Sequence, residues 1–156
     1  MKLADFLCKK AISVDLQGTT KEEVIQEMIE LLLDSEVIDK KDKKRIFDVI
    51  MTREKLGSTA IGQGVAIPHA KFEGVDKLTA SLGISKKGVD FDSLDGEPAY
   101  IFFLLVAPID SAGPHLKALA RISRLLKDKF FRDSLRAAEN TKVVQKSIAI
   151  EDERIG

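Results

Sequence analysis

Two of the 156 residues, His69 and His115, are imidazoles, the side chain that titrates near neutral pH and attacks electrophiles in its uncharged form. His69 lies in Ile67-Pro68-His69-Ala70, downstream of Gly57, Gly62 and Gly64. Pro68 fixes the backbone just before the ring, so the imidazole is presented with little conformational freedom left to lose. The glycines permit close approach of other chain and leave amides free to meet an oxyanion. Arg53 precedes this segment with a planar guanidinium fork suited to phosphate. Ser58 and Thr59 follow it as donors, through hydroxyl or amide. His115 comes directly after Gly113-Pro114, in the first turn of a helix that the proline opens. A helix N-terminus disfavours imidazolium, so this ring is biased toward its neutral form, which can donate one hydrogen bond to a phosphate. Brought together, two imidazoles, a guanidinium and loop amides would hold a phosphoryl group. Spacing alone leaves plainer readings open: His69 as a ring satisfying a loop hydrogen bond, His115 as a partly buried cap residue.

Other chemistries fit less well. Gly57-Ser58-Thr59-Ala60-Ile61-Gly62 has the glycine spacing of a nucleotide-binding P-loop, but Gln63-Gly64 stand where its lysine and hydroxyl residue belong. Gly62-Gln63-Gly64 begins a dinucleotide fingerprint that fails at Ile67. Cys8 is the only cysteine, which excludes an intrachain disulfide and a thiolate zinc site; it reads as a buried or half-buried small hydrophobe. No metal site and no cofactor is expected. Lys+Arg and Asp+Glu number 25 each, so no global field draws the chain to nucleic acid or an anionic bilayer. Lys40-Lys41-Asp42-Lys43-Lys44-Arg45 reads as the solvated face of a helix. The apolar run Tyr100–Ala107 is far short of the roughly 20 residues of a membrane span. The N-terminus is interrupted by Asp5 and lacks a signal-like apolar stretch, so the chain reads as cytoplasmic.

The elements that must position these residues are legible in outline. Thr20-Lys21-Glu22-Glu23 is a capping box, and Ile25, Met28, Ile29 and Leu32 give the helix it opens one buried stripe. A second helix begins near Asp39 or Lys40 and runs through Ile46, Phe47 and Ile50 to about Glu54, with Gly57 as its stop. The glycine-rich segment reads as a loop or tight turn leading to a short strand. Leu78–Ile84 alternates as a half-buried strand, Lys86-Lys87-Gly88 is a turn, Val89–Phe91 a short strand and Asp95–Pro98 another turn. Tyr100–Val106, apolar on both faces, is a central strand. A helix from Gly113-Pro114 would bury Leu116, Leu119, Ala120 and Leu126. Shorter helices from about Phe130 to Ala138 and from Thr141 to Ile148 follow, and Glu151–Gly156 reads as a fraying polar tail. The implied fold is a single α/β domain over residues 1–156, a three-layer arrangement with a mixed sheet flanked by helices on both faces.

Read in order, Arg53-Glu54, Gly57-Ser58-Thr59, Ile61-Gly62 and Val65-Ala66-Ile67-Pro68-His69 resemble the phosphohistidine signature of enzyme IIA domains of the phosphoenolpyruvate-dependent sugar phosphotransferase system, fructose/mannitol type. The match runs from Glu54 to Ala70 without a gap, and Ala60 stands where glycine is also common. Similarity extends over nearly the whole chain, by pattern only after Asn140. The resemblance implies that His69 is phosphorylated by phospho-HPr and passes the group to a IIB component, and that Arg53 and His115 steady it. It also admits a free-standing nitrogen-regulatory IIA role, in which phosphorylation controls binding to regulatory partners. A small hydrolase using both histidines with a metal would need a third ligand that the sequence does not supply. Since donor and acceptor are proteins, the ring should be accessible, behind an apolar rim built partly from Ile61, Val65 and Phe72.

Overall fold

Side chains from Ile101 to Val106 point alternately to two faces of a strand, and all six are fully buried. In the computed structural model, which describes residues 1–156, this run belongs to the last of six strands. The strands are β1 (Leu7–Ser13), β2 (Ala60–Gly62), β3 (Val65–Ala66), β4 (His69–Lys71), β5 (Thr79–Val89) and β6 (Ala99–Ala107). The helices are α1 (Lys21–Asp34), α2 (Lys43–Lys55), α3 (Ala112–Leu125), α4 (Lys129–Ala137) and α5 (Thr141–Arg154), with short 3-10 turns at Leu3–Asp5 and Lys40–Asp42. The sheet order is β1-β5-β6-β3-β2, and β4 also pairs with β6. Pairing is mixed: β5 runs antiparallel to β6, whereas β3 and β4 both run parallel to it along its other edge.

The sheet divides the core in two. Ile101, Phe103 and Leu105 face α3, α4 and α5, together with Leu82, Ile122 and Leu135. Phe102, Leu104 and Val106 face α1 and α2, together with Ile25, Met28 and Ile50. The three-layer expectation is therefore met. Thr20 caps α1 through the Glu23 amide, in the reciprocal box read from sequence, and Ile25, Met28, Ile29 and Leu32 are all fully buried. At roughly 1.5–3 kcal/mol for each fully buried aliphatic side chain, that stripe is the main reason α1 stays on the sheet.

Several local expectations are corrected. Residues Thr79–Ser85 are buried on both faces rather than half-buried, because α1 covers one side and α4 the other. Lys86-Lys87-Gly88 is not a turn between strands. It is an irregularity within β5, with Gly88 at φ +86° and the register slipping between Ile84 and Val89. Lys86 Nζ donates to the carbonyls of Arg136 and Ala138, closing the end of α4. Phe91 lies beyond the end of β5 and is fully buried. In α3 the buried face is His115, Ala118, Ile122 and Leu125, while Leu116 is 68% exposed and Ala120 lies on the solvent side.

The C-terminal tail is the largest correction. α5 continues to Arg154, and Glu151 and Asp152 are buried. Arg121 Nη2 donates to Asp152 Oδ1 at 2.9 Å, and the same carboxylate accepts the backbone amides of Leu3 and Ala4. A polar stretch that composition assigns to solvent is thus the clamp joining both termini to α3. The N-terminal strand β1, which carries half-buried Cys8, was not anticipated.

Candidate functional site

The segment from Ala60 to Lys71 sets the site. β2 and β3 form a hairpin whose two turn residues, Gln63 and Gly64, have φ of +57° and +80°. Two successive positive φ values are what a tight two-residue hairpin of the correct twist requires, and glycine supplies the second without steric cost. Asp95 accepts the Gln63 amide at 2.9 Å and steadies the turn. The chain then follows the edge of β6: β3 pairs at Ile101 and Phe102, and β4 pairs at Leu105, Val106 and Ala107. Between them Pro68 has no amide to give, but its carbonyl accepts Leu105 N–H at 3.0 Å. His69 is therefore held by sheet bonds on both sides.

Its ring is half-buried. Nδ1 lies 2.7 Å from the Ile67 carbonyl oxygen. A carbonyl only accepts, so the neutral ring carries its proton on Nδ1, and the lone pair sits on Nε2. Burial lowers the pKa of His69, and the charge of Arg53 adds to this, against the hydrogen bond to Ile67 and the charge of Glu54. The ring is neutral, and nucleophilic, over a wider pH range than a free imidazole.

The fold brings His115 to it: the ring centroids are 5.2 Å apart and the planes make 77°. His115 lies in the first turn of α3 and is 8% exposed, and its Nε2 is buried without a hydrogen-bond partner. Its pKa is lowered to about 4, by burial first and then by the charges of His69 and Lys71. Neutrality was expected from the helix N-terminus; burial is the larger cause. Native proteins seldom leave a buried polar atom without a partner, and such exceptions concentrate at functional sites.

Arg53, near the end of α2, is half-buried, donates from Nη1 to the Gly57 carbonyl at 2.7 Å, and lies close enough for its charge to act on His69. Ser58 and Thr59 lie in the same loop, but their hydroxyls are engaged elsewhere. Ser58 Oγ donates to the Phe91 carbonyl at 2.5 Å, and Thr59 Oγ1 donates to Glu54 Oε1. Both hydroxyls shape the loop in this state. The apolar rim is also revised. Val65 and Phe72 are core residues on opposite sides of the sheet, and only Ile61, 47% exposed, faces solvent. Leu56 and Leu116, beside the loop and beside His115 in sequence, are the more exposed apolar residues, at 83% and 68%.

Sequence reasoning passed over one buried group here. Glu54, at 4% exposure, bonds to Thr59 and Lys21. Its signal was present: Ile46, Ile50 and Glu54 recur every four residues on the buried face of α2, and a carboxylate on such a stripe must have partners inside.

Residues 5–150 match the family model for the phosphoenolpyruvate-dependent sugar phosphotransferase system, EIIA 2. The chain belongs to this EIIA family. Among curated EIIA relatives, a nitrogen regulatory protein of Bradyrhizobium diazoefficiens is 36% identical over 150 residues, 96% of each chain. A fructose-specific EIIABC component of Bacillus subtilis is 39% identical over 140 residues, 90% of this chain and 22% of that one. Among solved structures, nitrogen regulatory protein IIA-Ntr from Neisseria meningitidis superposes with a TM-score of 0.84 at 30% identity, over 94% of this chain and 98% of that one. As an EIIA domain the chain is a phosphotransferase-system component, and no helix in it is long and apolar enough to cross a membrane.

Proposed function

We propose that this EIIA domain is a cytoplasmic phosphocarrier that accepts a phosphoryl group on His69 Nε2 from phospho-HPr and passes it to a IIB component. The observation that carries this reading is the Nδ1–Ile67 carbonyl contact at 2.7 Å, which leaves Nε2 as the nucleophile. The Nε2 lone pair attacks phosphorus in line with the donor's P–N bond. That bond breaks and its electron pair returns to the donor nitrogen. Charge on the equatorial oxygens is met by Arg53, and the partnerless Nε2 of His115 meets another oxygen as a donor. Onward transfer is the same displacement in reverse, with the acceptor of the IIB component attacking the phosphorus on His69. Ser58 and Thr59 contribute through the shape of their loop; of their two amides only that of Ser58 is left for the phosphate, because Thr59 N–H is held by Glu54.

Incubation with phosphoenolpyruvate, enzyme I and HPr, followed by intact mass measurement, tests the proposal. One acid-labile phosphate is expected on the wild type and none on His69→Ala. Labelling that survives in His69→Ala overturns the assignment.

A second reading is favoured by similarity to nitrogen regulatory proteins along 96% of the length of one of them. In that role the same phosphorylation switches binding to regulatory protein partners. A screen of phosphorylated and unphosphorylated forms for state-dependent protein binding would separate it from carriage alone.

A further inference from the structure

Three hydrogen bonds connect the nucleophile to a buried carboxylate, and a fourth ties that carboxylate to a lysine. His69 Nδ1–H donates to the Ile67 carbonyl at 2.7 Å. Ile67 N–H donates to the Thr59 carbonyl at 3.0 Å. Thr59 N–H donates to Glu54 Oε1 at 2.9 Å. The other oxygen, Oε2, accepts from Lys21 Nζ at 2.9 Å. Lys21 is itself held by Asp92 at 3.0 Å, and its ammonium lies 4.9 Å from the centre of the Phe91 ring.

The direction of these bonds matters. Every donor between His69 and Glu54 points toward the carboxylate. Thr59 and Ile67 each donate through the N–H of one peptide and accept through the carbonyl of the next, across an intervening Cα, so what passes along the chain is position: the carboxylate fixes Thr59, and Thr59 fixes Ile67. The Ile67 carbonyl is therefore held in one place. It holds the His69 proton on Nδ1 and leaves the lone pair on Nε2. The arrangement orients the imidazole through the backbone of Thr59 and Ile67, as a carboxylate does when it contacts an imidazole directly.

We propose that Glu54 is a positioning residue for phosphoryl transfer, acting on His69 through Thr59 and Ile67, with Lys21 as the counter-charge that keeps its carboxylate in place. Burial works against the Lys21 charge, but its bonds to Glu54 and Asp92 outweigh this and raise its pKa, so the ammonium is permanent at neutral pH. Removing the charge of Glu54 breaks its pairing with Lys21 and slackens this loop, so the Ile67 carbonyl should hold the ring less firmly, without altering the surface that a donor protein touches.

The inference rests on His69 being the phosphoryl acceptor, and its first measurement is independent of that reading. Nitrogen-15 NMR of the His69 ring reports the tautomer with no donor present. In the wild type Nδ1–H should dominate. In Glu54→Gln the Nε2–H form should rise measurably. Single-turnover transfer from phospho-HPr should then slow about tenfold at saturating donor, equivalent to about 1.4 kcal/mol, with the half-saturating donor concentration unchanged. Lys21→Arg, which keeps the charge, should behave as wild type. Should Glu54→Gln fold poorly, the double variant Lys21→Met/Glu54→Gln removes both charges together, leaves neither unpaired, and should show the same tautomer change. An unchanged ring tautomer in the folded variants overturns the proposal, as does a change confined to the half-saturating concentration. Loss of labelling in the wild type would instead sink the assignment of His69.

Discussion

His115 makes the stability of the fold depend on pH in a window that separates it from most other groups. Its ring has a pKa of about 4 in the folded chain against an ordinary value near 6.5 when unfolded. Between these values the unfolded ring takes up a proton that the folded ring refuses. Stability therefore falls as the pH drops below about 6.5, and this loss stops growing below the folded value. At pH 5 the proton uptake confined to the unfolded state costs about 2 kcal/mol relative to pH 7.5. His69, lowered in the same direction by its own burial, adds to the loss. The carboxylates whose pKa is lowered, Glu23, Asp95 and Glu151 among them, stay ionised at pH 5 and do not confuse the comparison. Urea unfolding followed by circular dichroism at the two pH values, for the wild type and His115→Gln, measures the effect. Whatever the substitution costs at pH 7.5, the acid-induced loss should be smaller in the variant by about 2 kcal/mol. Equal losses in both proteins would mean that His115 is solvated or paired when folded, and the account of its buried Nε2 would fail.

Other outcomes follow from the same geometry. Asp152→Ala leaves the Arg121 guanidinium buried without its partner and releases two N-terminal amides; it should cost about 3–5 kcal/mol in chemical denaturation. Glu153→Ala, which removes only an exposed pair with Lys2, should leave the midpoint unmoved. Arg53→Ala should preserve the circular dichroism spectrum while slowing phosphoryl acceptance by roughly a hundredfold. Arg53→Lys should recover only part of that rate, since a point charge cannot reproduce the fork.

What the sequence disclosed depended on whether a signal was local. The Thr20–Glu23 box and the stripe Ile25-Met28-Ile29-Leu32 are complete within one helix, and both appear as read. The doubly apolar run at β6 declared its own burial. Glu151 and Asp152 misled because a carboxylate goes inside only when a distant partner awaits it, here Arg121 and the amides of residues 3 and 4. Leu116 misled because helical phase, and not hydrophobicity alone, decides which side faces in, and that phase is set by His115. At the site, glycines, proline and ring were visible, but their meeting with His115 was not, since 45 residues and two strands separate the rings. Glu54 was visible as a misplaced charge on a buried stripe and was passed over.

The anchoring of His69 by sheet bonds on both flanks restricts the order of events. A nucleophile on a swinging arm could visit one protein and then another while both remained attached. This ring cannot travel. On the proposed assignment, giver and receiver must each bring their own reacting atom to the same fixed point, so neither can occupy it until the other has left. Turnover on that assignment is of the ping-pong type, and the phosphorylated domain would have to survive alone in solution between visits, where its half-life against water becomes a quantity that the shelter around the P–N bond has to protect.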